Sequence, residues 1–205
     1  MKNSEVFKDQ NGECYIVFGN EVIYFNNTEI INSRLRNLYL TEYNKTVKST
    51  EIKTAYEALM SCAENCAEIV PVAVRVYRDK NTIYYDLCDN ANTVVKCGIN
   101  AHKVVTLSDK KFFFKREPTM KEQVIPNMKA DIAKSINLLS HFFNIDVNQR
   151  VLFPVYVISA FIPDISHPIL LIEGEKGAGK TTMQRNISRI IHPVSKDVFV
   201  LPTDT

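Results

Sequence analysis

Apolar positions along the chain change their period several times, and each change marks an element. Residues 14–18 (CYIVF) and 21–25 (EVIYF) are β-branched and aromatic runs separated by Gly19-Asn20, a two-residue turn suited to a tight hairpin. Past Asn27 or Thr28, either of which can cap a helix, Ile31, Leu35, Leu38 and Tyr39 recur at helical spacing as far as Asn44. Ser49 and Thr50 offer a second cap, with Glu51 in the first turn and Ile52, Ala55, Tyr56, Leu59, Met60 and Ala63 on one face. The two helices are expected to form a small antiparallel hairpin.

The period then drops to two. Val72, Val74 and Val76 alternate with Ala73, Arg75 and Tyr77, and TIYYDL (82–87) follows a turn at Asp79-Lys80-Asn81, which predicts a second β-hairpin. TVVKC (93–97), KVVTL (103–107) and KFFFK (111–115) are spaced like an antiparallel meander, so the strands up to Lys115 are expected to share one sheet. Residues 117–130 carry Pro118 and Pro126 without periodicity and read as a linker. Beyond it, Ile132, Ile136, Leu139 and Phe143 predict a helix over 131–143. Asp146 with Gln149 resembles a capping box opening another helix, which Pro154 should kink or shorten. A turn-rich stop at 163–168 precedes ILLIE (169–173), an apolar run suited to a buried parallel strand.

Composition narrows the classes. Of 205 residues, 45% are hydrophobic and 23% charged, which is ordinary globular usage and excludes wholesale disorder. Lys and Arg number 25 against 23 Asp and Glu, a net charge of +2, so any nucleic-acid surface must be local. The longest near-continuous apolar run, 151–162, falls short of the roughly 20 residues that cross a bilayer. No membrane contact is expected. MKNSEVFKDQ at the start reads as neither signal nor transit peptide, and the five Cys are an odd, scattered set. Reduced thiols in the cytoplasm are the expectation.

One motif carries chemistry. Gly174, Glu175, Lys176, Gly177, Ala178, Gly179, Lys180 and Thr181, followed by Thr182, match G-x-x-x-x-G-K-[ST] at every specified position. The glycines allow positive φ and turn consecutive N–H groups toward phosphate oxygens, while the following helix adds its positive end. By position, Lys180 would reach the β- and γ-phosphates of ATP and the Thr181 hydroxyl would complete the coordination of Mg²⁺. The context also fits: ILLIE before the loop, and after it TTMQRNISRII with Met183, Ile187 and Ile190 on one helical face. DVFVLP (197–202) would be the next strand and close a βαβ unit.

With these residues in view, HPILLIEGEKGAGKTTMQRNISRIIHPVSKDVFVLPTD (167–204) resembles the ATPase start of phage and mobile-element primase-helicase proteins. In that family the phosphate loop opens a helicase domain of the AAA+ or superfamily 3 type. A weaker resemblance covers the VxVRVxxxxxxIYYDL pattern of residues 72–87, upstream of such ATPases. The resemblance implies an accessory N-terminal domain, a homo-oligomeric ring in the full-length protein, and ATP-driven DNA remodelling. Hydrolysis also needs a later acidic strand, a water-orienting group and an arginine finger. Glu173 and Glu175 flank the loop on its own strand and do not stand in for the acidic residue, so the chain reads as the N-terminal part of a longer protein and is not expected to hydrolyse ATP alone.

Other constellations are weaker. Lys110, Lys111, Lys115 and Arg116 around Phe112, Phe113 and Phe114 combine cations with aromatics as single-strand DNA surfaces do; the same residues also read as a strand with buried Phe and solvated ends. Cys62 and Cys66 lack a second pair with zinc spacing, and the four His are isolated.

The expected architecture is thus an α+β accessory domain over 1–116 (β-hairpin, helical hairpin, antiparallel meander), a linker over 117–130, a helical connector over 131–166, and the opening βαβ unit of a P-loop α/β ATPase over 167–205. The expected function is ATP binding within a helicase-type ATPase. The competing reading is a non-hydrolysing interaction or DNA-binding module that keeps a phosphate-loop remnant.

Overall fold

CYIVF becomes a strand buried on both faces, and it organises the first of two units in the computed structural model, which describes residues 4–66, 68–108, 111–143 and 145–196. Strands β1 (Ser4–Lys8), β2 (Cys14–Phe18) and β3 (Glu21–Tyr24) form an antiparallel sheet in that order, with Ile16 opposite Ile23 and Val17 opposite Val22. One face carries Cys14, Ile16 and Ile23 against Ile31 and Leu35 of α1 (Thr28–Tyr43) and Ile52 and Ala63 of α2 (Ser49–Glu64). The other face, with Phe7, Tyr15, Val17 and Val22, packs on Val70, Val72 and Phe113. Burial on both sides is why this run is continuously apolar rather than alternating.

The hairpin and both helices stand where the periodicity predicts them. The caps differ in detail: Lys48 occupies the N-cap of α2, its backbone N–H donating to the Glu51 carboxylate at 3.1 Å, so Ser49 is already helical. Asn44 closes α1 in a left-handed conformation, φ 50°, which Asn tolerates better than most residues. Strand β1 is missing from the sequence reading because SEVFK has only two apolar residues.

The single sheet expected up to Lys115 divides into three. β4 (Val72–Ala73) pairs in parallel with the strand at Phe113–Phe114, so KFFFK leaves the meander and joins the first unit. The antiparallel meander itself runs β5 (Val76–Asp79), β6 (Thr82–Asp86), β7 (Thr93–Cys97) and β8 (His102–Thr106), with Phe113–Phe114 as β9. Alternation over 72–76 does not make one strand, because the backbone leaves β4 before Arg75, whose charged side chain is buried.

The partition also cuts across the sequence division at 116/117. The first unit holds Met1–Val74 with Ser108–Arg116, and the second holds Arg75–Leu107 with Glu117–Thr205. In the second unit, α3 (Ile132–Phe142) starts from Asp131, whose side chain accepts from the Lys134 N–H at 2.8 Å. Asp146 caps only a short 3-10 turn (Val147–Gln149), and α4 (Leu152–Ser159) begins later. Pro154 thereby falls in the first turn of α4, where its missing N–H costs no helical bond. α5 (Lys180–Ile191) lays Met183, Ile187 and Ile190 onto Phe143, Phe153 and Val157.

Two sequence expectations fare differently around α5. ILLIE (169–173) has no strand partner among the described residues: Leu170 packs on the α5 core, while Ile169 is 96% exposed and Leu171 76%. An apolar run becomes a strand only when a neighbour supplies the ladder. The strand expected over 197–202 lies outside the described residues. No helix among the described residues is long and apolar enough to cross a membrane.

Candidate nucleotide-binding site

Residues 174–179 form a tight turn that delivers the chain into α5. Gly177 (φ 87°) and Gly179 (φ 80°, the N-cap) sit in the left-handed region that a side chain resists. The Ala178 N–H donates to the Glu175 carbonyl at 3.2 Å, and the Met183 N–H to the Gly179 carbonyl at 2.9 Å. At a helix start the leading N–H groups have no intrahelical acceptor, and the macrodipole makes that end electropositive. Lys180, Thr181 and Thr182 occupy the first turn, with both threonines exposed.

Lys180 folds back over the loop. Its Nζ donates to the carbonyls of Gly174 (2.7 Å) and Glu175 (2.8 Å), which holds the ammonium inside the turn. A Cβ on Gly174 would stand 3.3 Å from the Ala178 Cβ, so the loop is closed tightly at its first residue. Positive-φ glycines, orphan helix N–H groups and a lysine ammonium at the mouth form an arrangement that accepts an anion. The residues present fit a triphosphate with Mg²⁺: Gly177, Gly179 and Lys180 by backbone and charge, Thr181 by its hydroxyl.

A cleft of about 810 Å³ opens beside the loop. Lys180, Gly179 and Thr182 border it on one side, and Phe143, Phe153, Tyr156 and Met183 provide apolar wall. Gln149 and Asn186 add amide groups.

The far end of α5 is held by side chains that sequence reasoning overlooked. Gln123 donates from Nε2 to the carbonyls of Arg189 (3.1 Å) and Ile190 (2.9 Å), and the Tyr85 hydroxyl donates to the Ile191 carbonyl at 2.9 Å. Arg75, only 5% exposed, donates from Nε to His192 Nδ1 (3.3 Å) and from Nη1 to the Asp86 carbonyl (3.0 Å). Its Nη2 donates to the carbonyls of Lys121 (2.9 Å) and Pro193 (3.3 Å), and its guanidinium lies 5.7 Å from the Tyr85 ring centre. Helix ends leave their last carbonyls without intrahelical donors, and a cation there complements the dipole.

Burial, and then the Arg75 charge, hold the His192 imidazole below its ordinary 6.5. Burial raises the Tyr85 phenol, against opposing effects of Gln123 and Arg75.

The segment expected to be a linker is therefore part of this clasp. The Lys121 N–H donates to the Pro193 carbonyl at 2.9 Å and the Ser195 N–H to the Thr119 carbonyl at 2.7 Å. A basic residue between Val74 and Val76 was the available signal.

The cationic residues after β8 belong to the first unit. Phe112 (3% exposed) and Phe114 (7%) are buried, and Phe113 stacks on Phe7 with ring centres 5.1 Å apart. Phe112 and Phe114 therefore offer no open face for base stacking, and half-buried Phe113 has Phe7 against its ring. Lys115 Nζ lies 5.4 Å from the Tyr24 ring centre, Lys111 is exposed and Arg116 half-buried. Lys110 lies outside the described residues. Cys62 and Cys66 are free thiols.

No protein-family model matches the chain, and no curated protein or solved structure matches it.

Proposed function

We propose that this chain is the ATP-binding part of a primase-helicase-type P-loop ATPase of DNA replication, in which ATP is coupled to DNA remodelling by the full-length protein. The observation that carries the reading is the motif together with its shape: GEKGAGKT forms a closed turn at the start of an amphipathic helix, with left-handed Gly177 and Gly179 and with Lys180 Nζ inside the turn.

The loop's chemistry follows from those parts. Bound phosphate oxygens would replace the Gly174 and Glu175 carbonyls as partners of the Lys180 ammonium, a charge-assisted exchange that favours the anion. The N–H groups at the start of α5 align with the helix dipole toward the same anion. Thr181 would hold a Mg²⁺ ion through its hydroxyl, and the ion would supply charge neutralisation for the bound phosphates. Packing of Met183 and Ile187 on Phe143 and Phe153 fixes the helix that presents these groups.

The test is a titration of a fluorescent ATP analogue with Mg²⁺ into the whole chain and into Lys180→Ala. Saturable binding that the substitution abolishes is expected; equal, undetectable binding in both would sink the reading.

A further inference from the structure

We propose that Cys14 and Cys66 are a redox-active thiol pair, which a peroxide joins in a reversible disulfide that fastens the end of α2 to β2. Both residues belong to the first unit, so the pair is independent of the phosphate loop.

The fold brings together two residues that stand more than fifty positions apart in sequence. Cys14 opens β2 directly opposite Lys8 of β1, so the two side chains share one face of the sheet. That face is the one α2 covers: Cys14 packs in the same cluster as Ala63, and the Lys8 ammonium donates to the Glu64 carbonyl. Past α2 the chain reaches the edge of the sheet, where the Lys8 N–H donates to the Glu68 carbonyl and the Val70 N–H to the Lys8 carbonyl. Cys66 lies between these attachments, and its N–H donates to the Ala63 carbonyl at 3.1 Å. The chain on either side of Cys66 is thereby pinned to the residue that faces Cys14.

The two thiols are free and unequal. Cys14 is 7% exposed, whereas Cys66 is half-buried and within reach of a small solute. Burial raises the Cys14 thiol above its ordinary value, the Lys8 charge opposes this, and Cys66 is among the other groups that act on it. Disulfides inside a cell are mostly transient or redox-sensing, which suits a pair that starts reduced.

The chemistry closes in two steps. Cys66, the more accessible thiol, gives two electrons to hydrogen peroxide; the O–O bond breaks, water leaves, and a sulfenic acid remains on Cys66. The Cys14 sulfur then attacks the Cys66 sulfur. The S–O bond breaks as the S–S bond forms, and the Cys14 proton leaves with the hydroxide as a second water. A dithiol reductant returns both thiols.

In the experiment the whole chain is treated with hydrogen peroxide, remaining thiols are alkylated after denaturation, and peptides are mapped by mass spectrometry. Closure requires Cα atoms within about 7 Å, so the link reports directly on this juxtaposition. Two of the five thiols are expected to vanish together, with loss of two hydrogens, a linked Cys14–Cys66 peptide and recovery by dithiothreitol. The thermal midpoint is expected to rise in the oxidised form, because the link constrains the unfolded chain.

Cys62→Ser is expected to keep the link, and Cys66→Ser to abolish it and leave Cys14 fully alkylated. Neither substitution touches the buried Cys14. A Cys62–Cys66 link, a link between chains, five intact thiols, or Cys66 driven to sulfinic acid while Cys14 stays alkylated would overturn the proposal.

Discussion

The Nε of Arg75 donates to Nδ1 of His192 at 3.3 Å, joining the residue that precedes the meander to the residue that follows the last turn of α5. The same guanidinium reaches the carbonyls of Asp86, Lys121 and Pro193. One buried side chain thus ties together three stretches of the second unit that are far apart in sequence. The helix whose first turn carries Lys180 and Thr181 is anchored at its opposite end by this clasp.

Arg75→Met keeps much of the stem's volume and removes every donor. The carbonyls of Lys121, Asp86 and Pro193 lose a charged partner in a buried place, and a buried group left unsatisfied costs about 1–3 kcal/mol. The substitution is predicted to destabilise the second unit by about 3 kcal/mol or more. Arg75→Lys should recover only part, because one ammonium cannot serve the fork of contacts. Urea unfolding, with amide exchange read at Ile191 and His192, checks both.

Stability should depend on pH through His192. Its pKa is lowered on folding, so the unfolded chain takes up a proton more readily, and a proton on Nδ1 would abolish the acceptor that Arg75 uses. The contribution of neutral His192 is full above about 6.5 and is lost as the pH falls through that value toward the lower value of the folded protein. His192→Asn, which retains an acceptor and does not titrate, is predicted to flatten this part of the profile. Urea midpoints measured from about pH 5 to 7.5 on both proteins test the assignment, since the window opens at the ordinary histidine value.

Gly177→Ala and Gly179→Ala should separate loop shape from overall fold. An added Cβ meets nothing within 4 Å at either position, so the penalty is conformational. A left-handed non-glycine residue costs about 1–2 kcal/mol, a factor of roughly 5–30 in an equilibrium. The substituted loop is expected to relax in the free chain and to be forced back by ATP, so ATP affinity is predicted to fall within that range while the thermal transition moves little, as nucleotide titration and circular dichroism would show.

Much of this fold is legible in the sequence wherever one local pattern decides the outcome. The CYIVF hairpin, α1, α2 and α5 follow from spacing alone, because each buries one run or stripe against its neighbours. What spacing does not contain is which strand pairs with which. KFFFK reads as the next meander strand, yet Phe113–Phe114 pair with Val72–Ala73, a choice made by the stacking of Phe113 on Phe7, more than a hundred residues away. The turn that leads into α5 is legible because its left-handed positions favour glycine, as at Gly177 and Gly179. The Arg75 clasp is not, because its partners are mostly backbone carbonyls, which leave no trace in residue type.

Single-stranded DNA bound through Lys111, Lys115 and Arg116 is predicted to be held by phosphate contacts only, since Phe112 and Phe114 are buried. Affinity should fall linearly on a log-log plot against salt and should be equal for a base-bearing and an abasic strand of one length. Alanine at all three positions should flatten the slope. A base-dependent affinity that survives the triple substitution would place the DNA surface elsewhere.

Residues 174–181 are proposed to be a phosphate receptor, and backbone amide shifts in a ¹⁵N-labelled sample titrated with Mg²⁺-ATP are the test. The largest changes are predicted at the amides of Gly177, Gly179, Lys180 and Thr181, with none of them seen in Lys180→Ala. Absent shifts at these amides, or changes concentrated away from the loop, would contradict the account.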